Sequence, residues 1–148
     1  MDDCVFCRMV KGVEPASVVY SDEEVVAFMD ITPVNSGHVL VIPKAHAAQL
    51  SELNPEIGAQ MFKVAMHVAE GLRRSGVECE GVNLFLADRE AAFQDIFHVH
   101  LHVIPRFKGD GFGLKFGPNY GFEPKRKELD ETADKIRKAM ESFQGSTF

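Results

Sequence analysis

Residues 97–106 read Phe97-His98-Val99-His100-Leu101-His102-Val103-Ile104-Pro105-Arg106, three histidines alternating with apolar residues until a proline stops the run. A period of two belongs to a β-strand, so His98, His100 and His102 share one face while Val99, Leu101 and Val103 turn into a core. Half of the six histidines of the chain sit here. A solvated strand face normally mixes Lys, Thr and Glu, which makes a bland polar face the weakest reading. Two chemical readings remain. Three imidazoles could hold a catalytic zinc with an open fourth position. One imidazole could instead act as a nucleophile flanked by phosphate-binding neighbours.

The rest of the pattern alternates short apolar runs with helical ones. Cys4 to Val10 reads as a short helix, and its Cys4-Val5-Phe6-Cys7 spacing lets two thiolates share one tetrahedral metal. A thioredoxin-like pair would need a strand before it, and only three residues precede Cys4. Val18 to Tyr20 and Glu24 to Met29 form a hairpin across Ser21-Asp22-Glu23, and Gly37 to Pro43 is a third strand. Ser51 to Pro55 is helix-start punctuation. Ile57, Met61, Val64, Ala65, Val68 and Leu72 then recur at helical spacing up to Gly76, with Met61 and Met66 as packing residues and His67 at the surface. Val82 to Leu86 is a fourth strand and residues 87–97 a loop. A glycine and aromatic loop follows Arg106. Lys125 to Phe143 returns to helix, with Leu129, Ile136, Ala139, Met140 and Phe143 on one side; the last five residues are expected to fray. This order predicts an α+β fold on an antiparallel sheet.

Bulk properties narrow the class further. A chain of 148 residues suits one domain with a real core. Its 16 basic against 22 acidic residues give a net charge of −6, without the basic footprint of a nucleic-acid binder. No signal-peptide pattern opens the sequence and no apolar run is long enough for a bilayer, so a cytoplasmic protein without membrane partners is expected. Three cysteines, an odd number, fit a reducing compartment.

The His-x-His-x-His run followed by two apolar residues resembles the signature of the histidine-triad (HIT) family of nucleotide hydrolases and transferases. Phe28-Met29-Asp30-Ile31-Thr32-Pro33 and Gly37-His38-Val39-Leu40-Val41-Ile42-Pro43-Lys44-Ala45-His46 resemble two further landmarks of that family, in the same order. With Cys4 and Cys7, the likeness spans about residues 4–106. The resemblance implies a single HIT domain over 1–148. Residues 107–148 would supply the glycine and aromatic loop and the C-terminal helix. It also implies a five-stranded antiparallel sheet with one long central helix, and a homodimer.

For chemistry, the resemblance implies attack by His100 on the α-phosphate of a nucleotide conjugate, giving a nucleotidyl-histidine that water hydrolyses. His102 would hold the phosphoryl oxygens and His38 would orient the nucleophile. Val5, Phe6, Met9, Phe28, Ile31 and Leu40 would form the slot for the base, Asp30 would hold the ribose hydroxyls, and Gln94 would also lie at the substrate. Read without the resemblance, these apolar residues are core and Asp30 is a turn residue before Pro33. Cys4, Cys7, His46 and His98 would hold a structural zinc, with no organic cofactor. The implied substrates are nucleoside phosphoramidates, acyl-nucleotides or dinucleoside polyphosphates, with a purine base and an AMP-type product. The sequence departs from the common pattern at Ala87, Phe93 and Asp95, where relatives often carry Asn, Gly and a small hydroxyl residue. These changes encourage an alternative in which the protein binds nucleotides with vestigial activity.

Overall fold

The computed structural model describes residues 3–143, so the fraying expected at 144–148 lies outside the described residues. Contacts divide the chain into two units, Met1–Phe112 and Gly113–Phe148. The first contains α1 (Val5–Val10), β1 (Val18–Ser21), β2 (Val25–Met29), β3 (Val39–Pro43), α2 (Pro55–Arg74), β4 (Gly81–Leu86) and β5 (Leu101–Arg106). The strands form one antiparallel sheet in the order β1-β2-β3-β5-β4. The α+β class, the five strands and the long helix agree with the sequence reading.

The sheet is covered on both faces, and strand alternation decides which residue goes where. Val25 and Ala27 of β2, Val39 and Val41 of β3, and Leu101 and Val103 of β5 pack with Met61, Val64, Ala65, Val68, Ala69 and Leu72 of α2. The intervening Val26, Phe28, Leu40 and Ile42 turn to the opposite face, where Phe6 of α1 and the flanking Val5, Met9 and Ile96 meet them. β3 is therefore buried along its whole length, which explains its unbroken apolar sequence.

The helix α2 starts where its side chains can satisfy the orphan backbone donors. Asn54 caps it by accepting the Glu56 N–H at 2.9 Å, Pro55 opens the first turn, and Arg73 and Arg74 lie in the last turn, where positive charge suits the helix dipole. The turn before β3 needs a glycine. Gly37 has φ +99°, and a Cβ placed on it would stand 2.7 Å from Val77 Cγ1.

Two local differences from the sequence reading have physical causes. Cys4 is the N-cap of α1 rather than its first residue, its sulfur accepting the Cys7 N–H at 3.4 Å. The triad run is a regular strand only from Leu101. Before it, the His98 carbonyl accepts a hydrogen bond from the His100 ring at 2.7 Å, and the Val99 N–H reaches the Ala47 carbonyl at 2.8 Å, so these groups are spent outside a ladder.

In the second unit, α3 (Arg126–Glu141) begins where Glu128 accepts the Lys125 N–H at 3.4 Å. The stretch before it stacks Phe116 on Tyr120 with ring centroids 3.8 Å apart. Leu129, Ile136, Met140 and Phe143 are exposed.

Candidate active site and metal centre

The sheet register builds the site. Phe28 pairs with Leu40, Leu40 with His102, and His102 with Phe85, so one row of side chains crosses four strands on the face opposite α2. At the β5 part of this row a cleft of about 200 Å³ opens beside α1. Its walls include Val5, Phe6, Met9, Phe28, Asp30, Ile31 and Leu40, with His100 and His102 at one side. Met29, Thr32 and Ile96 also line it and were missing from the sequence-derived site, and Asp95, which the sequence reading singled out as a departure from the family pattern, lines it too. Thr32 follows from the turn chemistry of Asp30, whereas Ile96 arrives by loop geometry that no periodicity signals.

Asp30 serves two structures at once. Its Oδ1 accepts the Thr32 N–H at 2.8 Å and the Thr32 hydroxyl at 3.2 Å, an Asx-type turn. Its Oδ2 lies 3.5 Å from His38 Nε2. The turn residue and the cleft residue are the same carboxylate.

Hydrogen bonds to backbone assign the histidine tautomers. The Val34 N–H donates to His38 Nδ1 at 3.0 Å, which leaves the ring proton of neutral His38 on Nε2. That Nε2–H points at His102 Nδ1, 2.8 Å away, so neutral His102 carries its proton on Nε2. His100 has the reverse arrangement: its Nδ1–H donates to the His98 carbonyl, leaving a lone pair on Nε2. His100 is 3% exposed, and its ring lies 5.0 Å from that of His102 and edge-on to Phe6 at 5.3 Å. The pair offers one nucleophilic nitrogen and one donor side by side. Burial pushes the His102 pKa down to about 4, reinforced by His100 and His38, and burial also lowers that of His38 against the pull of Asp30. Both shifts favour the neutral ring.

The elements holding these rings are braced. Asn35, three residues before His38, donates to the Pro105 carbonyl at 2.9 Å and to Asp110 at 2.8 Å. Asp110 also takes two bonds from Arg106, at 2.6 and 2.8 Å, and the guanidinium holds its carboxyl well below the usual carboxylate range. Gln94 is placed differently from the sequence expectation. It does not line the cleft: its amide donates to the carbonyls of Ala48 and Ile96 at 2.6 and 3.1 Å, and its oxygen accepts the Arg89 N–H at 2.7 Å. It pins the loop instead. Arg89 and Phe93 in this loop have φ values of 71° and 69°, in the region that glycine favours, and Phe93 is 85% exposed. Ala87 is buried.

The remaining triad ring faces another group. His98 is fully buried and its Nε2–H donates to the Pro43 carbonyl at 2.8 Å, so its Nδ1 lone pair is free to bind. That Nδ1 is 3.4 Å from Cys4 Sγ, 3.6 Å from Cys7 Sγ and 3.2 Å from His46 Nδ1; Cys7 Sγ is 3.3 Å from His46 Nδ1. A tetrahedral zinc with bonds of roughly 2.3 Å to sulfur and 2.0 Å to nitrogen has ligand–ligand edges of about 3.3 to 3.8 Å. The donors fit zinc, and the Pro43 carbonyl is the outer partner that orients a ligating imidazole. Among the described residues, His98 groups with the cysteines and His46, while His102 groups with Asp30 and His38.

The HIT domain model matches residues 11–109. An uncharacterized HIT-like protein of Borreliella burgdorferi is 40% identical over 87% of this chain and 94% of its own length. The adenosine 5'-monophosphoramidase hnt1 of Schizosaccharomyces pombe is 35% identical over 90% and 98%. Among solved structures, a HIT family protein from Bacillus anthracis superposes with a TM-score of 0.85 at 37% identity, covering 93% of this chain and 97% of that one. A zinc-bound histidine triad family protein from Mycobacterium smegmatis gives 0.73 at 38% identity, with coverage of 93% and 98%.

Proposed function

This chain belongs to the HIT domain family, and we propose that it is a nucleotide hydrolase or transferase that cleaves at an α-phosphate through a nucleotidyl-His100 intermediate. One observation carries this reading: His100 spends its Nδ1–H on the His98 carbonyl, so its neutral ring turns the Nε2 lone pair to the cleft beside His102, which has an N–H to give. A nucleophilic nitrogen and a donor for the phosphoryl oxygens are the two groups that such a displacement needs. The Nε2 lone pair attacks phosphorus, the leaving group departs with the bond's electrons, and water later hydrolyses the phosphorus–nitrogen bond. The step needs no metal at His100.

The apolar cleft suits a nucleotide's base, with Asp30 Oδ2 at hand for ribose hydroxyls. At about 200 Å³ it is smaller than a pocket for a whole drug-sized ligand, so the phosphate belongs at the histidine rim. Purine phosphoramidates, acyl-nucleotides and dinucleoside polyphosphates are the candidate substrates, with an AMP-type product. The monophosphoramidase name of the fission-yeast relative supports this class.

Cys4, Cys7, His46 and His98 would hold a structural zinc, which supplies folding energy to the N-terminal segment and no catalysis. The zinc-bound Mycobacterium smegmatis neighbour supports that assignment. The zinc-hydrolase alternative is disfavoured by geometry, since His98 turns its ligating nitrogen to the cysteines and away from a shared site with His100 and His102.

We further propose a cytoplasmic homodimer. β4 is an edge strand that exposes Leu84 and Phe85, and α2 exposes Phe62 and Met66 one turn apart, surfaces that a second copy could cover. No helix among the described residues is long and apolar enough to cross a membrane. The net charge of −6 supports a small-molecule substrate over nucleic acid. A hydrolysis panel covering the three substrate classes, with elemental analysis of the same preparation, tests the reading; AMP release from none of them would overturn it.

A further inference from the structure

We propose that Asp95 selects the leaving group by charge, favouring a protonated amine over a phosphate or sulfate. This inference rests on the hydrolase reading and narrows it to one substrate class. Asp95 Oδ1 lies 3.6 Å from His100 Nε2, the nitrogen that attacks phosphorus. The carboxylate is held there. Ile96 donates its N–H to Oδ1 at 2.9 Å, and buried Gln94, the preceding residue, bonds three backbone groups that fix the loop. Its side chain is 81% exposed, so it sits at the mouth, where a leaving group meets solvent.

The charge balance of the cleft points the same way. Among the described residues its lining contains two carboxylates, Asp30 and Asp95, and no lysine or arginine. Arg89, the nearest cation in sequence, does not line it. The α-phosphate meets the Nε2 edges of His102 and His100 rather than a lysine or arginine side chain of the lining. Each further anionic group on a substrate enters beside Asp95, with no lysine or arginine among the described lining residues to offset it. An amine reverses the sign. A phosphoramidate nitrogen protonated from solvent is cationic, and the Asp95 carboxylate accepts its hydrogen bond. His100 Nε2 then bonds to phosphorus, and the phosphorus–nitrogen bond breaks with its electron pair on nitrogen. A neutral amine departs. A departing phosphate or sulfate gains negative charge beside the same carboxylate.

At this exposure the effect is that of one charge near water, about five- to tenfold per unit of leaving-group charge, and salt screens it. The test compares wild type with Asp95→Asn and Asp95→Ser on an adenosine alkylphosphoramidate and a diadenosine polyphosphate, at low and high ionic strength. Wild type should favour the phosphoramidate, and both variants should lose about five- to tenfold of that preference in kcat/KM, gaining on the polyphosphate. The wild-type preference should shrink with salt while that of the variants stays flat. Calorimetric affinities for AMP and ADP give a readout free of turnover: wild type should discriminate against ADP, and Asp95→Asn should relax this. Turnover or nucleotide binding with unchanged ratios in the variants would overturn the role of Asp95 alone. No binding and no turnover with any nucleotide would overturn the hydrolase reading and this inference together.

Discussion

His38 Nε2 and His102 Nδ1 stand 2.8 Å apart, and the Val34 N–H on the far side of His38 sets which of them holds the proton between them. A backbone amide thus dictates, through two rings, that His102 presents an N–H to the cleft. His38 bonds His102 and not His100, the ring that the sequence reading expected it to orient, so in the proposed reaction it would act through His102. Replacing His38 with Ala should lower kcat by up to about a hundredfold while leaving nucleotide affinity within a few fold, because a loosened donor stabilises developing oxygen charge less well. Steady-state kinetics with calorimetric binding checks this; a loss confined to KM would assign His38 to binding.

The same burial and neighbours that hold His102 neutral should be visible by NMR. Its ring is expected to titrate near 4 rather than in the usual range for histidine. A folded-state pKa below the unfolded one means that stability from this group is present above the unfolded value. That stability is lost as pH falls toward 4. A titration midpoint near 6.5 in the folded protein would contradict the neutral donor.

The candidate metal site and the proposed base slot meet at one short helix, since Cys4 and Cys7 bracket Val5 and Phe6 of the cleft wall. Changing both cysteines to Ser should therefore remove zinc from protein purified without added metal or chelator, and should also weaken AMP binding. Elemental analysis beside calorimetry is the check. Equal zinc in wild type and the double variant would refute the ligand set, and intact affinity without zinc would uncouple the two sites.

Much of this arrangement was legible in the sequence because it is periodic or stoichiometric. Val99, Leu101 and Val103 alternate against the histidines, and all three enter the α2 core. The four candidate metal ligands were legible as residue types, and the fold brings them together. What periodicity could not carry was the path of the chain before Leu101, because hydrogen bonds of His98 and Val99 outside the ladder decide it. The loop from Arg89 to Ile96 was equally opaque. Its shape depends on two residues at positive φ and on the buried amide of Gln94, none of which repeats with any period. Asp95 could be flagged as an unusual charge, but its approach to His100 is a fact of three dimensions.

A stability prediction follows from Asp22. Burial raises its carboxyl pKa, but bonds from Gln60, the backbone N–H groups of Glu24 and Val25, and the Tyr20 hydroxyl outweigh this and bring it to about 2. A depressed folded pKa gives stability that is fully present above 3.8 and lost as pH falls through about 2. Urea midpoints across that window should fall more steeply for wild type than for Asp22→Asn, the two converging in acid. Parallel curves would show that the carboxylate contributes no pH-dependent stability.

Gly37 should not tolerate a side chain. Ala at this position meets both a left-handed φ and the Val77 methyl, so Gly37→Ala should cost about 1–3 kcal/mol in denaturant unfolding. His38 follows immediately, and its reorientation should reduce kcat as well. A neutral substitution would mean that the turn can relax freely.

The covalent step is the centre of the proposed function. His100→Ala should bind AMP normally and lose turnover, while His100→Gly should regain some activity with added imidazole, which can occupy the vacated space and attack phosphorus. The most direct measurement is rapid-quench mass spectrometry of wild type across the first turnover with an adenosine phosphoramidate. The expected result is a transient chain heavier by one adenylyl group, acid-labile as a phosphorus–nitrogen bond should be, and absent in His100→Ala. Turnover without any modified chain, abolished by strong chelation while folding and nucleotide binding persist, would contradict the covalent mechanism and favour a metal-bound water.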